Sequence, residues 1–169
     1  MNSDDLKSVQ APVKDRYRND PAAAVVTLSA SGRIGEGVTC SVQTSKALVE
    51  AGLHPATGGP GTHACSGDML LEALVACAGV TLNAVATALG LAVRDATIRA
   101  EGDLDFRGTL GVAKDAPVGF RDIRLMFEIE GDLTDEQHAN LLKLPERYCV
   151  IYQTLKTAPP LTVTSRVTG

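Results

Sequence analysis

Hydrophobic positions in this chain fall into one long run flanked by short alternating stretches, and that contrast sets the expected elements. The run MLLEALVACAGVTLNAVATAL, Met69 to Leu89, has no proline and stops at Gly90, a suitable residue just past a helix end. Ser66 before it suits an N-cap, and Asp68 falls in the first turn, where a carboxylate complements the helix dipole. The spacing predicts a helix about 30 Å long. Upstream, Ala22 to Ala30 is β-compatible, and Ser31 to Gly37 holds three glycines that suit a hairpin turn, with Arg33 in or beside it, before a second strand over Val38 to Thr44. The segment Gly52 to Cys65 is rich in glycine and proline and reads as a loop.

Beyond Gly90 the period changes to two. Val93, Ala96, Ile98 and Ala100 begin one strand and Phe120 to Ile129 a second, with Gly108 to Gly119 as the connection. Thr134 is placed to cap an amphipathic helix over Asp135 to Leu144. Pro145 then opens a second short helix, through Lys156, that carries Cys149. Leu161 to Val167 alternates like a closing strand. Residues 1–21 are polar and read as an arm or short helix, and residues 22–169 as a single domain. Strands, a long helix, strands, short helices and a strand make an α+β chain rather than a repeating βαβ one.

Composition narrows this picture. Among 169 residues, 16 basic and 20 acidic side chains leave a net charge of −4, so nucleic acid is not the expected main partner. Aromatic residues make up 4% with no Trp, so Ala, Val and Leu must fill the core. The long helix is apolar nearly all round, which raises the question of a membrane span. Glu72 and Asn83 lie inside it and no aromatic or basic belt flanks it, so burial by protein is expected instead. A chain of this length has little material to cover every side of such a helix, which points to a helix shared with a partner subunit. Met1 to Lys14 lacks the apolar stretch of a signal peptide, so a reducing, cytoplasmic setting is expected.

Four cysteines stand at positions 40, 65, 77 and 149, without a CxxC pair, a spacing that does not suit zinc. On a helical wheel Cys77 shares a face with Leu70, Ala73, Leu74, Thr81 and Ala84. Cys149 is bracketed by Glu146, Arg147 and Tyr152, where charge meets apolar core, and Arg147 is placed to lower a thiol pKa. Either cysteine is equally well read as a small core side chain. Cys65 is about 18 Å of helix rise from Cys77, too far for a bridge within one chain, since bridged Cα atoms lie within about 7 Å. Cys65 therefore reads as a loop thiol, with an accessory role left open, and Cys40 as a structural strand residue. His54 and His63 flank the Gly-rich loop near Cys65 but read as solvated histidines, and no metal is expected.

The segment CSGDMLLEALVACAGVTL, Cys65 to Leu82, resembles the ELLLAALAAC helix of the OsmC/Ohr family, the osmotically inducible and organic hydroperoxide resistance proteins. The second cysteine, in ERYCVIYQTL, falls in the C-terminal context that the family also uses. The resemblance runs from about residue 22 to 167. It implies an OsmC-like fold with antiparallel sheets around a long central helix, in an intertwined homodimer with active sites at the subunit interface. It further implies a peroxidatic thiol at Cys77 and a resolving thiol at Cys149. Organic hydroperoxides, fatty-acid ones included, would be the substrates and a lipoyl-type dithiol the reductant, with no cofactor.

For the family's thiolate-activating arginine, Arg33 in SGRIGEGV is the first choice, ahead of Arg16, Arg18 and Arg147. The family glutamate has its counterpart in Asp68, with Gly67 at the adjoining position. Asp68 lies about 180° from Cys77 on the wheel and Glu72 about 140°, so the pairing must run through an arginine from elsewhere or across a dimer. Leu70, Leu74 and Tyr152 are the expected substrate contacts. The alternative is a non-catalytic protein that holds a small hydrophobic ligand, or senses redox state, in the same interface cavity.

Overall fold

The computed structural model describes residues 2–19, 31–34, 39–43, 48–111 and 113–168. The first element, α1 (Ser3–Asn19), is the short leading helix of the polar N-terminal segment, and its start docks on the end of the long helix, where the Ser3 hydroxyl donates to the Ala88 carbonyl. Strands β1 (Ser31–Ile34), β2 (Thr39–Gln43) and β3 (Leu48–Gly52) form an antiparallel sheet in that order. The strand expected over residues 22–30 lies outside the described residues. The expected turn at residues 31–37 is corrected in its first half: Ser31 to Ile34 are strand, with Arg33 opposite Ser41. The pattern had not marked β3, which also bridges Ala64 through Ala51.

The long helix, α2 (Ser66–Leu89), ends as expected at Gly90, whose left-handed backbone (φ 63°) turns its N–H back to the Ala86 and Thr87 carbonyls. Its start is corrected by one residue. Cys65, not Ser66, holds the extended N-cap position, and the cap is made without a side-chain hydrogen bond. Leu74, Ala78, Leu82 and Ala86, four residues apart, form the buried stripe.

That stripe faces a two-stranded antiparallel sheet, β4 (Val93–Leu104) and β5 (Phe120–Gly131). Alternation puts Ile98 and Ala100 of β4, with their register partners Phe127 and Leu125 of β5, against the helix. Gly102 makes room for a ring: a Cβ there would come within 2.5 Å of Phe120. Between the strands, a single turn α3 (Phe106–Thr109) is capped by Asp105.

Helix α4 (Asp135–Tyr148) opens with the expected cap at Thr134, completed as a capping box by Gln137. It then runs through Pro145 instead of restarting there, because a helix tolerates proline where packing holds both sides, and Pro145 is buried. The break comes at Cys149, and α5 (Val150–Lys156) follows. Cys149 is therefore between two helices, not within one. The strand expected at Leu161 to Val167 is absent. Leu161, Val163 and Val167 are 88%, 93% and 95% exposed, since alternation makes a strand only where a neighbouring edge supplies hydrogen bonds.

The core consists of two joined clusters, Leu74, Ala78 and Cys149 at one end of α2 and Leu82, Ala86 and Leu141 at the other. Among the described residues, sheet and helices cover one side of α2. The helix is long and apolar enough to cross a membrane, yet 22% of its most apolar stretch is buried within the chain. Ala73, Ala76 and Val80 line the uncovered side, with Val80 73% exposed.

Candidate active site

Two helices deliver one sulfur each to the same point. Cys77 stands midway along α2, at the margin between the buried stripe and the open face, and is partly buried. Cys149 comes from the break between α4 and α5. There its backbone leaves the helical region (φ −71°, ψ 112°) while its N–H still bonds the Pro145 carbonyl at 2.8 Å. The break makes Cys149 the N-cap of α5, and its sulfur accepts the Tyr152 N–H at 3.5 Å. Cys149 is 1% exposed, among Leu74 and Ala78, with Cys77, Ile151 and Tyr152 against it.

The surroundings treat the two thiols in opposite ways. Burial works to raise the Cys77 pKa, but the Ile151 N–H, the Cys149 S–H, the Val150 N–H and the Thr81 hydroxyl all favour its thiolate, and the net direction is down. Thr81 adds least, because its single proton is directed 2.8 Å away to the Cys77 carbonyl. Burial raises the Cys149 pKa. The Tyr152 N–H pulls it down, but the hydrogen bond to Cys77 and the charge there push it further up, and the net direction is up. Of the two, Cys77 is the thiol that ionises more readily and Cys149 the one that holds its proton longer.

The residues singled out from sequence are not all brought to this point. Leu74 and Tyr152 are, and together they line a groove of about 540 Å³ between α2, α5 and β5, with Phe120, Ile123, Leu125 and Phe127. Leu70 stands on the exposed side of α2, 36% exposed. Asp68 is on the opposite side of the helix, where with Glu72, Leu71 and Ala100 it lines a shallow hollow of about 410 Å³ against β4. Arg33 is in β1 and Arg16 and Arg18 are in α1, and their side chains lie outside what is described. Arg147 is exposed, its guanidinium 5.4 Å from the Tyr148 ring centre, and it is not among the groups that act most on either thiol.

Among the described residues, the groups that favour the Cys77 thiolate include the backbone N–H groups of Ile151 and Val150, which the sequence pattern does not mark.

The remaining candidates are occupied locally. His54 stacks on Phe106, with ring centres 4.9 Å apart, and its Nδ1 accepts the Ala56 N–H. His63 lies 3.8 Å from Glu50. Among the described residues, no cluster of three or more His, Cys, Asp and Glu side chains is arranged to hold a metal.

Comparisons with known proteins give the same outline. Residues 59–164 match the sequence profile of the family described as OsmC-like protein. No curated protein sequence matches significantly. Among solved structures, the OsmC-like protein of Mycoplasma pneumoniae superposes with a TM-score of 0.66 at 16% identity, covering 79% of this chain and 89% of that one. An organic hydroperoxide resistance protein of Elizabethkingia anophelis gives 0.64 at 17% identity, over 79% and 91%. The organic hydroperoxide resistance protein of Bacillus subtilis gives 0.53 at 18%, over 79% and 93%.

Proposed function

Because the chain belongs to the OsmC-like protein family, we propose that it is a thiol peroxidase that reduces organic hydroperoxides to alcohols through Cys77 and Cys149. The observation that carries this reading is the meeting of the two sulfurs, Cys77 packed against the cluster of the buried Cys149, with Cys77 the thiol that ionises more readily. The Cys77 thiolate attacks the terminal oxygen of ROOH. The O–O bond breaks, RO⁻ takes a proton and leaves as ROH, and Cys77 holds a sulfenic acid. The Cys149 sulfur then attacks Cys77, forming the S–S bond and releasing water. A dithiol of the lipoyl type reduces that disulfide by exchange, becomes a cyclic disulfide itself, and restores both thiols. No bound cofactor takes part.

The groove beside the pair sets Leu74, Phe120, Leu125 and Tyr152 next to the charged Arg121, Asp122, Glu146 and Lys156, and its apolar part would take the alkyl group of a hydroperoxide. Hydroperoxide resistance is also the named role of two of the structures that share the fold. The proposal includes a cytoplasmic homodimer in which a second copy covers the open face of α2, with residues 22–169 as one domain and residues 1–21 as an arm. Arg33 and Asp68 would enter the chemistry only in that setting, as groups brought to Cys77 from β1 or from the partner. The decisive experiment is Cys77→Ser: peroxide-dependent consumption of a dithiol should vanish, and retained consumption overturns the assignment.

The same groove supports a second reading, a carrier of a small hydrophobic molecule. Stoichiometric cumene hydroperoxide followed by mass spectrometry separates the two. Rapid loss of two hydrogens with a Cys77 to Cys149 link belongs to the enzyme, and persistently free thiols belong to the carrier.

A further inference from the structure

In an unbroken helix each N–H bonds the carbonyl four residues back, so Val150 would bond Glu146 and Ile151 would bond Arg147. The turn at Cys149 frees both N–H groups from that ladder at the start of α5, where Ile151 and Cys77 pack against the same buried cluster, and both N–H groups favour the Cys77 thiolate. That leaves the Glu146 carbonyl without its helical donor in the last turn of α4. The Gln153 side chain fills the vacancy, its Nε2 donating to the Glu146 carbonyl at 2.6 Å. Only the NH₂ end of the amide can face a carbonyl, so the orientation of Gln153 is fixed by its partner. The Gln153 backbone N–H bonds the Cys149 carbonyl at 3.0 Å, so one residue grips both sides of the break.

We propose that Gln153 is a positioning residue for the reactive thiol. By bonding the Glu146 carbonyl through its side chain and the Cys149 carbonyl through its backbone, it braces the break and holds the start of α5 against the cluster that contains Cys77. This rests on Cys77 being the reactive thiol of the proposed function. It adds a residue that touches neither sulfur and lies on the exposed side of the short helix. Loss of the donor removes that brace, so the start of α5 is free to shift away from Cys77.

The test is the pH profile of Cys77 alkylation by iodoacetamide, followed on the Cys77 peptide by mass spectrometry in the full-length protein. Gln153→Ala removes the side chain, and Gln153→Met keeps its length without a donor. The Cys77 midpoint should move to higher pH in both. Alkylation at neutral pH should slow about threefold to tenfold, which is a shift of about half a unit to one unit, while the limiting rate at high pH stays at the wild-type value. A purely structural role would lower the limiting rate or the helical circular dichroism without moving the midpoint. Unmoved midpoints overturn the proposal, and either variant with wild-type circular dichroism is enough to decide. Dithiol consumption by the wild type separates this proposal from the peroxidase reading. A wild type that consumes no dithiol, with midpoints that shift in the variants, overturns the peroxidase and keeps the role of Gln153. Consumption with unmoved midpoints does the reverse.

Discussion

At the scale of single residues, the two sulfurs differ in charge and in access, and each difference has a measurable consequence. Cys77 has its pKa lowered by N–H and S–H donors that outweigh burial, whereas Cys149 has its pKa raised by burial and by its neighbour. On raising the pH, Cys77 should alkylate first, with a midpoint below that of an ordinary cysteine at about 8.5, and Cys149 last; the reverse order would contradict the charge assignment. The sign for stability follows. A depressed pKa at Cys77 stabilises the fold above the unfolded value, and this contribution is lost as pH falls through the folded one. The raised pKa of Cys149 stabilises at low pH, and that contribution is lost as pH rises through its folded value. Access matters in the reductive half. Cys149 is 1% exposed and Cys77 only partly buried, so a thiol reductant meets the Cys77 sulfur first. Trapping oxidised protein with a monothiol should place the adduct on the Cys77 peptide, and an adduct on Cys149 would refute this.

At the scale of elements, the legible parts of the fold were those with an uninterrupted period. Helix α2 was readable because no proline breaks Met69 to Leu89 and Gly90 stops the run, and β4 and β5 were readable because they alternate beside a helix that fixes which face is inward. What was not legible depended on partners distant in sequence. Leu161 to Val167 alternates like a strand, but no edge pairs with it among the described residues. Pro145 looked like a start because the pattern does not show that α4 is held on both sides of it. Of the site, the two cysteines with Leu74 and Tyr152 were legible as neighbours, whereas the main-chain N–H groups of Val150 and Ile151 that favour the Cys77 thiolate have no residue signature. Within α2, Leu74 is buried in contact with Cys149, and Leu74→Ala should cost about 2–5 kcal/mol in denaturant unfolding. The capping box at Thr134 is remote from the thiols, so Thr134→Ala should cost about 1 kcal/mol and leave Cys77 alkylation unchanged.

At the scale of the whole molecule, one chain covers one side of its central helix. The open side carries Ala73, Ala76 and Val80 next to Cys77, small side chains that let another backbone approach closely. If the proposed homodimer closes over this face, Val80→Asp should turn it into a monomer in sedimentation while leaving helical circular dichroism in place; a variant that sediments like the wild type overturns that placement. The uncovered side of α2 also brings mass action into the behaviour of the protein. When association completes the shelter of that helix, free energy of folding and free energy of association become one quantity. The melting temperature should then rise with protein concentration. Turnover per milligram should fall on dilution below the dissociation constant, as Cys77 passes from a covered sulfur to one that faces water.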